Sequence, residues 1–294
     1  MPKKPLNLLC LSSFENIEQM LAKFAFPIKL TKGSFHNLEF IFQGKVVKVL
    51  HNGIDLVSFS FVWLSSSWAS RDLAYAVSLY LDKTKTFSTY VEKSTSKITD
   101  QIIYVLGGIQ TPNTLFLGKK NIEKNLKQIK EICGYPLIIK DIKGTFGIDS
   151  KYIATENDLL KNLDKLPNHK RYLFQQYIPN QYDWGILVAN GVVVSGEKSY
   201  PQNGEFRNNV CNGAKEVFVD VAEIPAHIKE MAIKASRLLG LSWSRSDIVI
   251  DKNTNEAYLM EVNRSPRITP KTSEVEGAYK FLSLQIENSS KNLR

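Results

Sequence analysis

The chain has 294 residues, enough for about two domains of ordinary size and for a sizeable buried core. Apolar residues make up 43% and charged residues 23%, ordinary globular usage that excludes a largely disordered polymer. The net charge is +9, but residues 1–96 hold 11 Lys and Arg against 7 Asp and Glu, and residues 97–294 hold 27 against 22. With the excess spread along the chain, and no zinc-finger spacing, basic heptad or aromatic RNA-binding signature, nucleic acid is an unsupported partner. Charge of this kind simply attracts anionic ligands.

Lys3 and Lys4 precede a short apolar run, Leu6–Leu11, with no small-residue cleavage site behind it, so the run reads as a buried strand and not a signal peptide. Phe14, Ile17, Met20, Leu21 and Phe24 recur at helical spacing. Leu38–Leu50 reads as a hairpin turning at Gln43-Gly44. From Leu56 to Leu64, Val57, Phe59, Phe61 and Trp63 alternate with serines in the period of a strand. Leu56–Ser70 is uncharged for 15 residues, yet it holds six serines. It is shorter than the about 20 apolar residues that span a bilayer, so no membrane partner is expected. Ser67 or Ser70 would cap a helix carrying Leu73, Val77, Tyr80 and Leu81 on one face. Residues 1–95 thus form a small α/β unit, and the polar stretch Asp82–Thr99 is the expected boundary.

Beyond it lie a helix over about Lys97–Leu106 stopped by Gly107-Gly108, a second helix over Ile122–Ile132, and a buried strand in Tyr135–Lys140. The chain then runs Ile138-Ile139-Lys140-Asp141-Ile142-Lys143-Gly144-Thr145-Phe146-Gly147. A lysine ending an apolar strand, followed by two glycines, can bring an ammonium and bare backbone N–H groups to a polyphosphate. A solvated lysine beside a hairpin turn would look the same, and neither a Walker loop nor a G-x-G-x-x-G motif is present.

Asp247-Ile248-Val249-Ile250 and Tyr258-Leu259-Met260-Glu261-Val262-Asn263 read as two strands of a hairpin. A five-residue connection, Lys252–Glu256, sets Asp247 opposite Glu261, with Asn263 two residues further on the same face. A connection of four residues would put the two acids on opposite faces. Facing carboxylates repel unless a cation lies between them, and two acids plus an amide oxygen suit Mg²⁺. Two surface acids on an edge hairpin are the plainer alternative.

These pieces occur in a revealing order. Ser96-Lys97, Gly108–Thr114, Tyr135–Lys140, Lys143–Ile148, Phe174–Ile178, Gly204–Asn209, Asp247-Ile248 and Glu261–Pro266 follow one another. From about Lys97 to Pro266 the chain resembles the ATP-grasp carboxylate–amine ligases. Within them it resembles the branch of ribosomal-protein glutamate ligases and peptide-modifying maturases.

The resemblance implies an ATP-grasp fold of mixed α/β content: two α+β subdomains gripping ATP, preceded by a small α/β domain. Its divisions are 1–95, 96–178 and 179–294. It implies that Lys97 and Lys140 hold ATP phosphates, that Gly144, Thr145, Phe146 and Gly147 form a lid, and that Gln176, Tyr177 and Ile178 line the adenine pocket through their backbone. It further implies Asp247, Glu261 and Asn263 as ligands of Mg²⁺, or Mn²⁺ in its place, and Arg207 as the catalytic cation near the transferred phosphoryl group. A guanidinium is a permanent fork of donors suited to that task, although an arginine in a polar loop is usually a surface ion pair.

The reaction implied converts a carboxylate to an acyl phosphate with ATP and joins it to an amine, releasing ADP and phosphate. Alternatives are a small-molecule ligase like the glutathione synthetases and a non-catalytic ATP-binding regulator. No nucleophilic triad is needed, and His36, His51, His169 and His227 show no paired spacing. Cys10, Cys133 and Cys211 share no metal-type spacing, so a reducing cytoplasm is the expected compartment. Two positions depart from the family. Gly185, two residues after Asp183, stands where relatives carry a substrate-binding arginine, and Arg267 stands where glycine is common. With Arg264, Arg267 and Lys198 expected beside the metal site and Asp183 near the substrate, the cleft is expected to accept an anionic carboxylate or acidic peptide.

Overall fold

The computed structural model describes residues 5–11, 17–144, 150–168, 170–208 and 212–291. Strand β1 (Leu6–Leu11) runs parallel between β2 (Ile28–Gly33) and β6 (Phe61–Leu64). The apolar run that makes β1 is buried from Leu8 onward, as a central parallel strand requires. Helix α1 (Ile17–Leu21) lies between β1 and β2 and buries Ile17 and Met20. An antiparallel hairpin, β3 (Leu38–Gln43) with β4 (Val46–His51), turns through Gly44 and Lys45 and is extended by β5 (Ile54–Asp55).

The strand expected over Leu56–Leu64 forms only from Phe61. The Asp55 carboxylate accepts the Val57 N–H at 3.2 Å and caps a 3₁₀ turn over Leu56–Ser58, which competes with the ladder. Helix α2 (Arg71–Thr84) follows Ser70 and buries Ala74, Val77 and Leu81, whereas Leu73 faces outward. The polar stretch after α2 is no loose linker: Thr89, Tyr90, Glu92 and Ser94 are buried. Helix α3 (Lys97–Leu106) opens with Ser96 accepting the Thr99 N–H while Thr99 accepts the Ser96 N–H, a reciprocal cap.

A second sheet orders β7 (Thr114–Leu117), β10 (Tyr172–Gln176), β8 (Leu137–Asp141) and β9 (Lys151–Ile153), all antiparallel. Helices α4 (Leu126–Cys133) and α5 (Glu156–Leu163) bury Ile129, Cys133 and Leu159 against Leu137, Ile139 and Phe174.

The third sheet orders β13 (Lys215–Val219), β12 (Val192–Tyr200), β11 (Asp183–Ala189), β14 (Trp243–Ile250) and β15 (Ala257–Asn263), also antiparallel. Helix α6 (Ala226–Leu239) covers one face, where Ile228, Ala232 and Leu239 share a core with Trp184, Ile186 and Ile248. Helix α7 (Ser273–Lys291) carries Phe281 into a ring cluster with Trp243 of β14 and Trp63 of β6, tying the first sheet to the third. Among the described residues no helix is long and apolar enough to cross a membrane.

Candidate active site

One cleft of about 400 Å³ is lined by the second and third sheets together with Trp68, Lys97 and the segment after β15. Side chains alternate across a strand, so residues paired in register share a face. On the cleft face of the third sheet one row reads Glu197, Gly185, Asp247, Glu261 across β12, β11, β14 and β15. The next rows hold Ser199 with Asp183, and Arg245 with Asn263.

The pairing of Asp247 with Glu261 arises differently from the sequence expectation. Ile250 pairs with Ala257, so the connection has six residues, Asp251–Glu256, and that register alone would turn Glu261 to the α6 face. The register shifts between Asp247 and Ile248, where Met260 is the extra residue, and this β-bulge returns Glu261 to the cleft. The turn itself follows from its side chains, with Asp251 Oδ1 accepting the Asn253 N–H at 2.8 Å and Asn255 in the left-handed region at φ 62°.

Asn263 Nδ2 donates to Asp247 Oδ2 at 3.0 Å. Burial and then the Glu261 charge push the Asp247 carboxyl up to about 7. Two acids held face to face at that cost, with an amide beside them, fit a hard divalent cation, which removes their repulsion. Asp183 is likewise raised well above the usual range by burial and by Asp247.

The opposite wall is basic. Lys140, on β8, donates to Gln175 Oε1 at 2.7 Å, and burial followed by the Lys97 charge lowers it to about 8. Lys97, at the first turn of α3, donates to Gly144 O at 2.9 Å and lies 5.4 Å from the Trp68 ring. Two ammonium groups that repel each other suit a polyanion. Thr145, Phe146 and Gly147 lie outside the described residues, as does Cys211. Gln176, Tyr177 and Ile178 line the cleft, but the Gln176 N–H donates to Asn113 O at 2.8 Å and the Tyr177 N–H to Pro136 O at 3.3 Å. Those two amides are therefore engaged within the protein.

Arg207 lines the cleft with its guanidinium forked onto Glu205, at 2.9 Å from Nε and 2.7 Å from a terminal nitrogen. That fork lowers the Glu205 carboxyl to about 2. Arg267 also lines the cleft.

Of the expected substrate residues, Lys198 turns away from the cleft and Arg264, at its wall, spends its guanidinium within the protein. Lys198 alternates with Glu197 and Ser199 along β12, so it projects to the other side, 4.6 Å from the Tyr182 ring and 4.8 Å from that of Trp184. Arg264 is fully buried: Nε reaches Glu92 at 2.8 Å and the terminal nitrogens reach the two Asp100 oxygens at 2.9 and 3.1 Å. Arg71 joins Asp100 at 3.0 Å, closing a network in which each charge has an opposite neighbour. Sequence reasoning also missed Arg245, Glu197 and Glu216, which line the cleft. A period-two count from Asp247 would have found Arg245.

A family model described as RimK-like ATP-grasp domain matches residues 91–284. A probable alpha-L-glutamate ligase of Psychromonas ingrahamii is 30% identical over 182 residues, covering 61% of this chain and 58% of that protein. The chain thus spans 58% of the length of that curated relative. D-alanyl-alanine synthetase A from Vibrio cholerae has a similar fold at TM-score 0.70 and 14% identity, over 98% of this chain and 99% of that one. The ATP-grasp ligase PsnB, solved with a phosphomimetic variant of its minimal precursor, Mg and ADP, is similar at TM-score 0.64 and 16% identity, over 95% and 98%. With its two facing sheets, its lysine wall and its opposed acids, the chain has the ATP-grasp fold and belongs to the RimK-like ATP-grasp family.

Proposed function

We propose that the chain is an ATP- and Mg²⁺-dependent ligase that activates a carboxylate as an acyl phosphate and joins it to an amine on a peptide, protein or amino-acid-like substrate. The observation that carries this reading is the opposition of Asp247, Glu261 and Asn263 to Lys140 and Lys97 across one cleft. The relatives named as glutamate ligases, and PsnB solved also with precursor peptide PsnA2, support the peptide-like substrate class. The division at about residues 95 and 178 is proposed with it, supported by the separate sheets, and a reducing cytoplasm is the compartment that suits it.

Lys97 and Lys140 hold the phosphates by charge. Asp247, Glu261 and Asn263 would hold the divalent ion, which when bound neutralises phosphate charge. A substrate carboxylate oxygen attacks the γ-phosphorus and ADP leaves; the amine nitrogen then attacks the acyl carbon, phosphate leaves, and the amine surrenders its proton. Arg267, with Arg207 beside Glu205, supplies the guanidinium donors for the carboxylate end. Charge neutralisation and alignment do the catalytic work, which explains why no protein nucleophile is required.

Binding of ADP tests the reading at its base. Isothermal titration should show ADP binding that strengthens with Mg²⁺ in the wild type and loses that dependence in Asp247→Asn. Identical Mg²⁺ dependence in both would overturn the metal assignment.

A further inference from the structure

We propose that Glu197 and Glu216, gathered around the Arg245 guanidinium in the space over Gly185, form the subsite that receives the ammonium group of the amine co-substrate. This rests on the ligase reading for the existence of an amine, and on independent geometry for its place.

A side chain at position 185 would find that space taken, since an added Cβ would lie 2.6 Å from Glu197 Oε1 and 2.7 Å from Arg245 Nε. The two charged ends cross directly over the glycine, and Glu197 Oε1 is ion-paired with Arg245. Glu197 is 2% exposed, and its second oxygen, Oε2, is buried with no hydrogen-bond partner among the described residues. A buried carboxylate oxygen left without a donor is costly, and a cleft-lining one is placed for a donor that arrives with a ligand.

The charge balance selects the kind of donor. Glu216 lies 3.8 Å and Glu274 3.6 Å from the Arg245 terminal nitrogens, so three carboxylates surround one guanidinium. Glu274 is buried and takes the Thr269 N–H at 2.7 Å, whereas Glu197 and Glu216 border the cleft. Burial and then the Glu274 charge raise the Glu216 carboxyl above its ordinary value, and Arg267 offsets this in part. Across the cleft, Lys97 and Lys140 sit at the phosphate wall, and Arg207 is forked onto Glu205. The β12–β13 end therefore holds more acid than base. An ammonium group, with three donors and one positive charge, can serve Glu197 Oε2 and Glu216 together.

The test uses the full chain, with n-butylammonium as probe and 1-butanol as its neutral counterpart, each titrated by ligand-observed NMR with and without Mg²⁺ and ADP. Wild type should bind the ammonium in preference to the alcohol. Glu197→Gln should weaken ammonium binding about tenfold, the scale of one charged hydrogen bond. Glu197→Asp should retain part of it, and Glu216→Gln should cost less than Glu197→Gln. Arg245 keeps Glu216 and Glu274 when Glu197 is neutralised, so the fold should persist, and unchanged ADP affinity would check this. Equal binding of ammonium and alcohol by wild type, or unchanged ammonium binding by Glu197→Gln, would overturn the subsite. Failure of wild type to bind ADP would overturn the ligase reading instead, while the nucleotide-free ammonium titration still decides the subsite.

Discussion

Arg264 follows Asn263 in the chain and Arg245 stands opposite Asn263 in register, the first buried and the second largely so, both among acids, yet they do opposite things. Arg264 is closed: Glu92 and Asp100 take its donors, Arg71 balances the second acid, and the side chain has no exposure to solvent. Arg245 is open: it gathers three carboxylates, leaves Glu197 Oε2 unserved and borders the cleft. A buried arginine is structural when its partners satisfy it and is available to a ligand when its surroundings retain charge.

The largest effect should come from breaking the closed group. Arg264→Ala leaves Glu92 and Asp100 with Arg71 alone, and removing one member of a buried pair costs about 3–5 kcal/mol. Chemical denaturation should show this loss, and a stable, ligand-free fold with only reduced substrate affinity would refute the structural role. Next comes Asp247→Asn, which should lower turnover about 10²–10³-fold, the cost of one preorganised electrostatic group. Stability in the metal-free protein should be unchanged or higher, because the variant relieves the repulsion from Glu261.

The same residue makes a pH prediction. Its carboxyl is raised in the fold from 3.8 to about 7, so the native state holds a proton that the unfolded chain has lost. Stability from this group is full below about 4 and is lost as pH rises to about 7. Thermal melts of the metal-free protein should show that decline, Asp247→Asn should flatten it, and Mg²⁺ should restore stability above pH 7. On the open group, Gly185→Ala inserts a Cβ into the Glu197–Arg245 pair and should cost about 1–3 kcal/mol by overpacking, read in the same melts. The smallest effect is expected from Lys198→Ala, which removes only a cation–π contact worth about 0.5–1 kcal/mol and should leave nucleotide affinity unchanged.

The closed group also explains why one stretch misled the sequence reading. Glu92 and Ser94 make residues 85–95 look like a linker, because polarity ordinarily means solvent. Here the polarity answers Arg264, which lies 172 residues away in sequence. Lys198 shows the reverse case. Its neighbours Glu197 and Ser199 face the cleft, so strand alternation alone could have excluded it.

The linear chain determined the strand β8 that carries Lys140, the Ser96 cap that begins α3 at Lys97, the two strands that carry Asp247 and Glu261, and hence the family. Each of these depends on neighbours a few residues apart, through propensity, periodicity and capping. Only the tertiary structure decided that the turn takes six residues, that a bulge at Met260 brings Glu261 back to the cleft, and that Arg264 is enclosed while Arg245 is not. Those outcomes depend on which distant charges are buried together, and burial is what converts a charge from a solvated surface group into one that must find a partner.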